Sequence, residues 1–306
     1  MYNVLVIGAG AMGILYAAQL SSSEKINVYF GASGERYKRL KDHIFIFNEK
    51  KYDFKVIDIE NYSDKPFDLV IVAVKFFQLD ESIRNLHKLI GENTVFVSLL
   101  NGLDSEDIIA NIYGEERVVY SMTVGMDSVR NADGSVTCKN FGKLVFGAKN
   151  VNQRKNVELV KNIFETANVA YEIPENIMKS IWWKFMVNVG INQASAVLGL
   201  NYGGFQKSEA ARAPMLGLMK EVILISQYEN INLNEDEDLN VKWFKVLHSL
   251  SPTAKTSMLQ DIEAKRKTEV EIFAGKVIQL ANKYGVDTPY NKIFFEVIKG
   301  IESNYL

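Results

Sequence analysis

Val4-Leu5-Val6-Ile7-Gly8-Ala9-Gly10-Ala11-Met12-Gly13 is the stretch on which the fold turns. Four consecutive apolar residues suit a strand covered on both faces, because alternate side chains of a pleated strand point to opposite sides. Glycines follow at once in the spacing G-x-G-x-x-G, and helical periodicity from Met12 to Leu20 continues the segment. In that setting the first glycine permits a tight turn and the second lets a pyrophosphate approach the backbone. The third lets helix and strand pack closely, and the helix N-terminus faces the anion. Gly8, Ala9, Gly10, Ala11, Met12 and Gly13 are therefore candidate phosphate-binding residues. The plain alternative is a glycine-rich turn with no ligand; a buried strand before it and a helix after it favour the nucleotide.

The same texture repeats outward from this unit. Ile26–Phe30, Asp68–Val74 and Thr94–Leu100 are further apolar runs, with helical patterns between them such as Glu81–Ile90. That βαβα order predicts an α/β fold with a doubly wound parallel sheet. Gly134–Cys138 and Lys143–Gly147 read as an antiparallel pair closing the sheet's edge. From Ile177 onward the periodicity is helical, with polar breaks at Asn201–Gly204, Asn230–Asp238 and Ser251–Thr253. Asn234-Glu235-Asp236-Glu237-Asp238 reads as a solvated acidic loop. Pro174 is tolerated only in the first turn of a helix, which places a boundary there. Residues 1–174 are expected to form the dinucleotide-binding α/β domain and residues 175–306 an all-helical one.

Composition narrows the function class. Lys+Arg 35 against Asp+Glu 37 leaves a formal charge of −2, without the basic excess of a nucleic-acid or membrane-surface protein. One cysteine, Cys138, excludes an internal disulfide framework, and three scattered histidines (His43, His87, His248) argue against a metal site. No apolar run reaches the roughly 20 residues that span a bilayer. Met1-Tyr2-Asn3 leads into a strand with no basic leader, so a cytoplasmic chain is expected.

The end of the second strand bears on cofactor choice. NAD sites carry an Asp or Glu there, about 20 residues past the glycines, to accept from the ribose 2′-hydroxyl. Here the run ends Tyr29-Phe30-Gly31-Ala32-Ser33-Gly34, and the first carboxylate is Glu35. Arg36, Lys38 and Arg39 follow. Cations near a missing acid favour a 2′-phosphate, hence NADP(H); solvation of the next helix's outer face accounts for the same cations.

The helical half holds a polar row. Lys184, Asn188 and Asn192 recur at i, i+4, i+8 through the apolar segment Ile181–Asn192, which places them on one stripe. A lysine among tryptophans and aliphatics is partly desolvated, which lowers its pKa toward the range useful for proton transfer. Asparagines donate and accept without charge, as a substrate's hydroxyl and carbonyl groups require. A snorkelling lysine with asparagines bonded to nearby backbone is the competing reading. Ser257-Met258-Leu259-Gln260 and Thr268-Glu269-Val270-Glu271 have capping-box form, predicting helices from Ser257 to about Arg266 and from Thr268. Glu269 then sits where a helix dipole favours a carboxylate, and plain capping explains both segments as well. Lys75 and Asn101-Gly102 end two of the strand runs, where open sheets bind ligands; ordinary loop polarity is the alternative.

Together these residues resemble the ketopantoate reductases (2-dehydropantoate 2-reductases) over nearly the whole chain. The likeness rests on the glycine loop, Val74-Lys75 with Gln78, Leu100-Asn101-Gly102, Trp183-Lys184-Phe185 with Asn188 and Asn192, Thr256-Ser257-Met258-Leu259-Gln260-Asp261, and Lys267-Thr268-Glu269. It implies an N-terminal Rossmann domain, a C-terminal helical domain and an active site in the cleft between them. It further implies NADPH-dependent reduction of ketopantoate to pantoate, a step toward pantothenate and coenzyme A. Lys184 looks like the proton donor to the ketone oxygen, and Asn188, Asn192 and Ser257 like substrate contacts. Glu269 looks like the carboxylate binding substrate beside the lysine. Asn101 would touch cofactor and substrate, and Lys75 the cofactor. A developing alkoxide would meet the Lys184 ammonium, and backbone N–H groups near Ser257 would receive the substrate carboxylate.

Three segments depart from the family pattern. Ser33 stands where many relatives carry an arginine for the 2′-phosphate, with Arg36 or Lys38 as substitutes. Ser121–Asp127 lacks the small-residue, histidine-containing run expected beside the nicotinamide, and Asn201-Tyr202-Gly203-Gly204 keeps an Asn-rich turn only approximately. These differences fit a related reductase of another small 2-oxo acid; a non-catalytic nucleotide sensor is the alternative of a different class. Trp243-Phe244 and Phe294-Phe295 offer material for a homodimer face, and core packing explains them equally well.

Overall fold

A computed structural model describes residues 1–305, which divide into two compact units, Met1–Ile177 and 178–305. In the first unit the strands in chain order are β1 Tyr2–Ile7, β2 Ile26–Ala32, β3 Phe45–Phe47, β4 Lys50–Tyr52, β5 Lys55–Asp58 and β6 Phe67–Val72. They continue as β7 Ile90–Ser98, β8 Val118–Val124, β9 Asp127–Arg130, β10 Val136–Asn140, β11 Lys143–Gly147 and β12 Tyr171–Glu172. β5, β2, β1, β6, β7 and β8 lie side by side and parallel in that order.

Burial explains the unbroken apolar runs. Val4 and Val6 enter one core with the helix Ala11–Leu20 and Val157, Val160 and Phe164 of the helix Arg154–Thr166. Leu5 and Ile7 enter the opposite core with Leu79, Ile83 and Ile109. Each strand residue thus faces a helical layer, and an alternating polar residue would lack a partner on either side.

β1 lies between β2 and β6, so the chain winds away from it in both directions. This is the switch point at which such sheets bind ligands beyond their carboxyl ends. The register brings four ends level: Ile7 pairs with Gly31 and Val72, and Val72 with Ser98. Gly8, Ser33, Lys75 and Asn101 therefore emerge along one edge.

Two expectations need correction here. Strands β10 and β11 do not pair: β10 joins β9 antiparallel in a small sheet with β3 and β4, while β11 joins β8 antiparallel in the large one. Burial separates them, because Val136–Asn140 alternates buried and exposed whereas Leu144–Gly147 is buried throughout. A run with one wet face suits the small sheet, and a continuous run suits the covered one. The helix expected over Glu81–Ile90 ends at Arg84, a 3₁₀ turn spans His87–Leu89, and Ile90 already begins β7. A further strand, β8, lies beside β7 with Val118 and Val119 fully buried.

The second unit is helical: Ile177–Val187, Gln193–Leu198, Tyr202–Lys207, Glu209–Tyr228, Phe244–Ser249, Ser257–Glu263, Ala274–Tyr284 and Pro289–Glu302. Two π-helical segments, Asn188–Asn192 and Glu235–Trp243, interrupt this regularity. The second shows that the acidic stretch is helical rather than a loop, although Glu235, Asp236 and Glu237 are exposed as expected. Asn234 caps it by accepting from Glu237 N–H at 2.7 Å, and Asp238 is buried with Lys179 Nζ at 3.5 Å. The break at Asn201–Gly204 is likewise a helix start, with the Asn201 side chain accepting from Gly204 N–H at 3.3 Å.

Candidate functional site

The three loop glycines answer different demands. Gly8 has φ +112, and a Cβ there would lie 2.5 Å from the Ala73 carbonyl oxygen of the neighbouring strand end. A Cβ on Gly13 would lie 1.9 Å from the Gly8 oxygen, so helix and loop meet with no room for a methyl. Gly10 differs: its φ is −86, open to any residue, and a Cβ would meet only the Ala73 oxygen at 3.9 Å. The protein's own packing thus requires two of the glycines and leaves open space beside the third. Gly10 is also the N-cap of Ala11–Leu20, where no side chain caps the helix and no acid occupies the first turn. Bare N–H groups beside an open space are what a pyrophosphate needs, so the residues present fit a dinucleotide.

At the next strand end Ser33 is the N-cap of Gly34–Leu40 and makes no side-chain capping bond. Lys38 is held by Glu35 at 2.6 Å, on the exposed face. Arg36 is half-buried. Burial lowers its pKa, as do the Arg39 and Arg130 charges, with Glu81 opposing. A guanidinium placed against two others favours an added anion. Lys75 is exposed at the head of the 3₁₀ turn Phe76–Gln78, and Asn101 is half-buried just before Gly102 at φ +97.

In the second unit the polar row is carried by Ile177–Val187 and the π-segment Asn188–Asn192. A π-turn inserts an extra residue and re-aims the side chains after it. Gly190 lies inside it, where a Cβ would meet Met219 at 2.4 Å, so the segment packs hard against Glu209–Tyr228. Lys184 is half-buried, with Ile181, Trp182, Phe185 and Met186 buried around it in sequence. Trp183 is fixed by its indole N–H donating to the Asp238 carbonyl at 3.0 Å and by Lys242 Nζ 4.3 Å over its ring.

Asn188, Asn192 and Ser257 are brought together. Asn192 Nδ2 donates to Asn188 Oδ1 at 3.2 Å, while Asn192 Oδ1 accepts from the Ser257 hydroxyl at 3.1 Å and Met258 N–H at 3.4 Å. The capping-box assignment at Ser257 is corrected: Thr256 is the N-cap and accepts from Leu259 N–H at 3.2 Å. Ser257 is the first helical residue, and its hydroxyl is thereby available to Asn192. The helix ends at Glu263, short of Arg266.

Glu269 stands at the head of a single 3₁₀ turn, Val270–Ile272, and the long helix begins only at Ala274. The dipole argument for its carboxylate is weak in so short a turn. Its neighbour Thr268 is clamped instead, donating to the buried Glu302 carboxylate from N–H at 2.6 Å and from its hydroxyl at 2.7 Å. Both Lys184 and Glu269 have interaction partners within the structure.

Sequence reasoning passed over Glu106, a buried carboxylate among Ser98, Ser105 and Ser121. As Ser105-Glu106-Asp107 it reads like an ordinary acidic first helical turn, and only the fold shows its burial. Among the described residues no group of three or more His, Cys, Asp or Glu side chains forms a metal cage, and no helix is long and apolar enough to cross a membrane. Trp243 belongs to the core, whereas Leu224, Tyr290, Ile293 and Val297 are exposed.

Comparison with known proteins gives a consistent result. Residues 4–150 match the family model described as ketopantoate reductase PanE/ApbA, and residues 176–302 match that of the ketopantoate reductase PanE/ApbA C terminal. The 2-dehydropantoate 2-reductase of Streptococcus pyogenes is 25% identical over 309 residues, covering 98% of each chain. That of Pyrococcus abyssi is 25% identical over 313 residues, again covering 98% of each. A D-mandelate dehydrogenase solved with NADH and anilino(oxo)acetate has the same fold, with TM-score 0.87, 23% identity and 99% of each chain covered. A dimeric ketopantoate reductase from Staphylococcus aureus superposes with TM-score 0.79 at 21% identity, covering 99% of this chain and 100% of that one.

Proposed function

Because the chain belongs to the ketopantoate reductase PanE/ApbA family, oxidoreductases with a Rossmann-like domain that use NAD(P)H, we propose that it reduces a 2-oxo acid with NADPH and that ketopantoate is that acid. The observation that carries this reading is the hydrogen-bonded row Asn188–Asn192–Ser257 continuing from Lys184 along the otherwise apolar stretch Ile181–Asn192. A sensor has no use for an ammonium set in such a row.

The residues divide the work. Backbone N–H groups at Ala11 and Met12 hold the pyrophosphate, with Gly10 letting it approach. Ser33 and Arg36 receive the 2′-phosphate, and Lys75 and Asn101 contact the cofactor along the same sheet edge. When bound, the nicotinamide supplies hydride to the carbonyl carbon. Asn188, Asn192 and Ser257 hold the substrate's hydroxyl and carboxylate, fixing which face of the carbonyl is presented. Lys184 gives its proton to the oxygen as negative charge builds there, and Glu269 binds the substrate and holds the lysine charged beforehand. Asn101 completes the substrate's polar contacts.

The same reading carries a homodimer, supported by the exposed apolar side chains Leu224, Tyr290, Ile293 and Val297 on two helices of the second unit. A second substrate reading, another small 2-oxo acid, is favoured by the departures at Ser121–Asp127 and Asn201–Gly204. Steady-state NADPH oxidation with ketopantoate, phenylglyoxylate and short aliphatic 2-oxo acids separates the two. Highest kcat/KM with ketopantoate supports the first; preference for another acid sustains the second, and turnover of none contradicts both.

A further inference from the structure

The loop from Leu99 to Asp104, which carries Asn101, is closed at its base by a directional chain of hydroxyls. Leu100 N–H donates to Ser98 Oγ at 3.2 Å, and the Ser98 hydroxyl donates to Ser105 Oγ at 2.8 Å. The Ser105 hydroxyl in turn donates to Glu106 Oε2 at 2.8 Å. The other carboxylate oxygen, Oε1, faces Ser121 N–H at 3.4 Å, and the Ser121 hydroxyl donates to the Ser98 carbonyl at 2.6 Å. Ser98, Ser105, Glu106 and Ser121 are all at most 4% exposed, so the chain lies away from the protein surface. Leu99 N–H is tied to the Val72 carbonyl at 2.8 Å, so Asn101 follows two consecutive anchored residues.

The direction of this chain depends on its last acceptor. Each hydroxyl has one proton, and each passes it toward Glu106 only while Glu106 accepts. A proton on Oε1 would oppose Ser121 N–H. A proton on Oε2 would be donated to Ser105 and reverse the chain. Ser98 Oγ would then accept from Ser105 as well as from Leu100, and its own proton would lose its buried partner.

We propose that ionised Glu106, acting through Ser105 and Ser98, is a positioning residue that fixes the loop presenting Asn101. The proposal rests on the reading of Asn101 given above, and it adds a pH sensitivity to it. Glu106 is raised to about 7, chiefly by burial, with hydrogen bonds from Ser105 and Ser121 lowering it. The charged group acting on it is Asp107, which raises it further. Asp107 itself accepts from the Tyr120 hydroxyl of β8 at 2.8 Å and lies 3.8 Å from Lys149 Nζ. The loop is therefore anchored in the alkaline limb and loosened in the acid limb of the neutral range.

Amide exchange in the ligand-free protein tests the anchoring without any reaction. In the wild type, protection of Leu100 N–H should rise about tenfold between roughly pH 6 and 8.5. Glu106→Gln should flatten that rise and lower protection at the alkaline end, with β1 amides unchanged. The second readout is NADPH binding and turnover. The variant should weaken NADPH about fivefold at alkaline pH, a loss in affinity and KM more than in kcat. Equal Leu100 protection in wild type and variant overturns the proposal, as does lost protection with unaltered NADPH affinity and kinetics. A wild-type chain that turns over no 2-oxo acid contradicts the proposed reductase activity, and the exchange data still decide the anchoring.

Discussion

The Ser257 hydroxyl donates to Asn192 Oδ1 across 3.1 Å, joining residues 65 positions apart in sequence. Asn192 is 5% exposed and uses its amide for Asn188, so both ends of the side chain are committed. The serine thus fixes which way round the buried amide points, and with it what Asn188 presents.

Removing either partner should therefore cost substrate binding. Ser257→Ala is expected to raise KM for the 2-oxo acid by about tenfold with little change in kcat, roughly 1.4 kcal/mol. Asn192→Ala should cost about tenfold to a hundredfold in kcat/KM, and the double variant should fall short of the product of the two. Strictly multiplicative effects would show that the hydrogen bond does not couple them.

The glycine loop gives a test in which folding and binding part company. Gly13→Ala places a methyl 1.9 Å from the Gly8 oxygen and should lower the melting temperature sharply or prevent folding. Gly10→Ala meets only Ala73 O at 3.9 Å and should melt like the wild type while losing tenfold or more in NADPH affinity, about 1.4 kcal/mol. Unchanged affinity in a folded Gly10→Ala protein would place the pyrophosphate elsewhere.

How much of this was legible in the residues follows from what each signal measures. Val4–Ile7 and Asp68–Val74 declared a covered parallel sheet because burial on both faces leaves no room for polar alternation. The same criterion, applied to Val136–Asn140 and Lys143–Gly147, separates them into different sheets, although their adjacency in sequence read as a hairpin. The polar row was visible at helical spacing, but the π-segment beneath it was not, since an extra residue per turn leaves no compositional mark. Thr256 and Ser257 are both good N-caps, and the sequence pattern does not decide between them; the Asn192 acceptor assigns the serine a different task. Glu106 was invisible because burial is a property of the fold.

Arg36 sets the cofactor preference in this account. Arg36→Ala should weaken NADPH by about tenfold and leave NADH within about twofold, because only the 2′-phosphate is lost to it. Fluorescence titration of both nucleotides reads this. Equal losses for the two would move Arg36 away from the 2′ position.

Buried Glu106 makes stability itself depend on pH. Held at about 7 in the folded protein, against an ordinary value of 4.5, it keeps a proton that the unfolded chain has released. Folding stability from this group is therefore greatest below the ordinary value and falls as pH climbs through 7, by roughly 3 kcal/mol in all. Glu106→Gln has no such proton to lose, so its melting temperature should gain on the wild type from about pH 4.5 to 7 and hold that gain above it. Parallel melting curves across that range would show that the carboxyl ionises as freely in the core as outside it.

In the proposed reaction Lys184 protonates the carbonyl oxygen of a 2-oxo acid while NADPH is consumed. The most direct measurement compares wild type and Lys184→Ala for NADPH oxidation with ketopantoate, alongside NADPH affinity by titration. The wild type should turn over, and the variant should fall by about a hundredfold or more with NADPH still bound normally. Undiminished turnover by Lys184→Ala would contradict the proposed reaction.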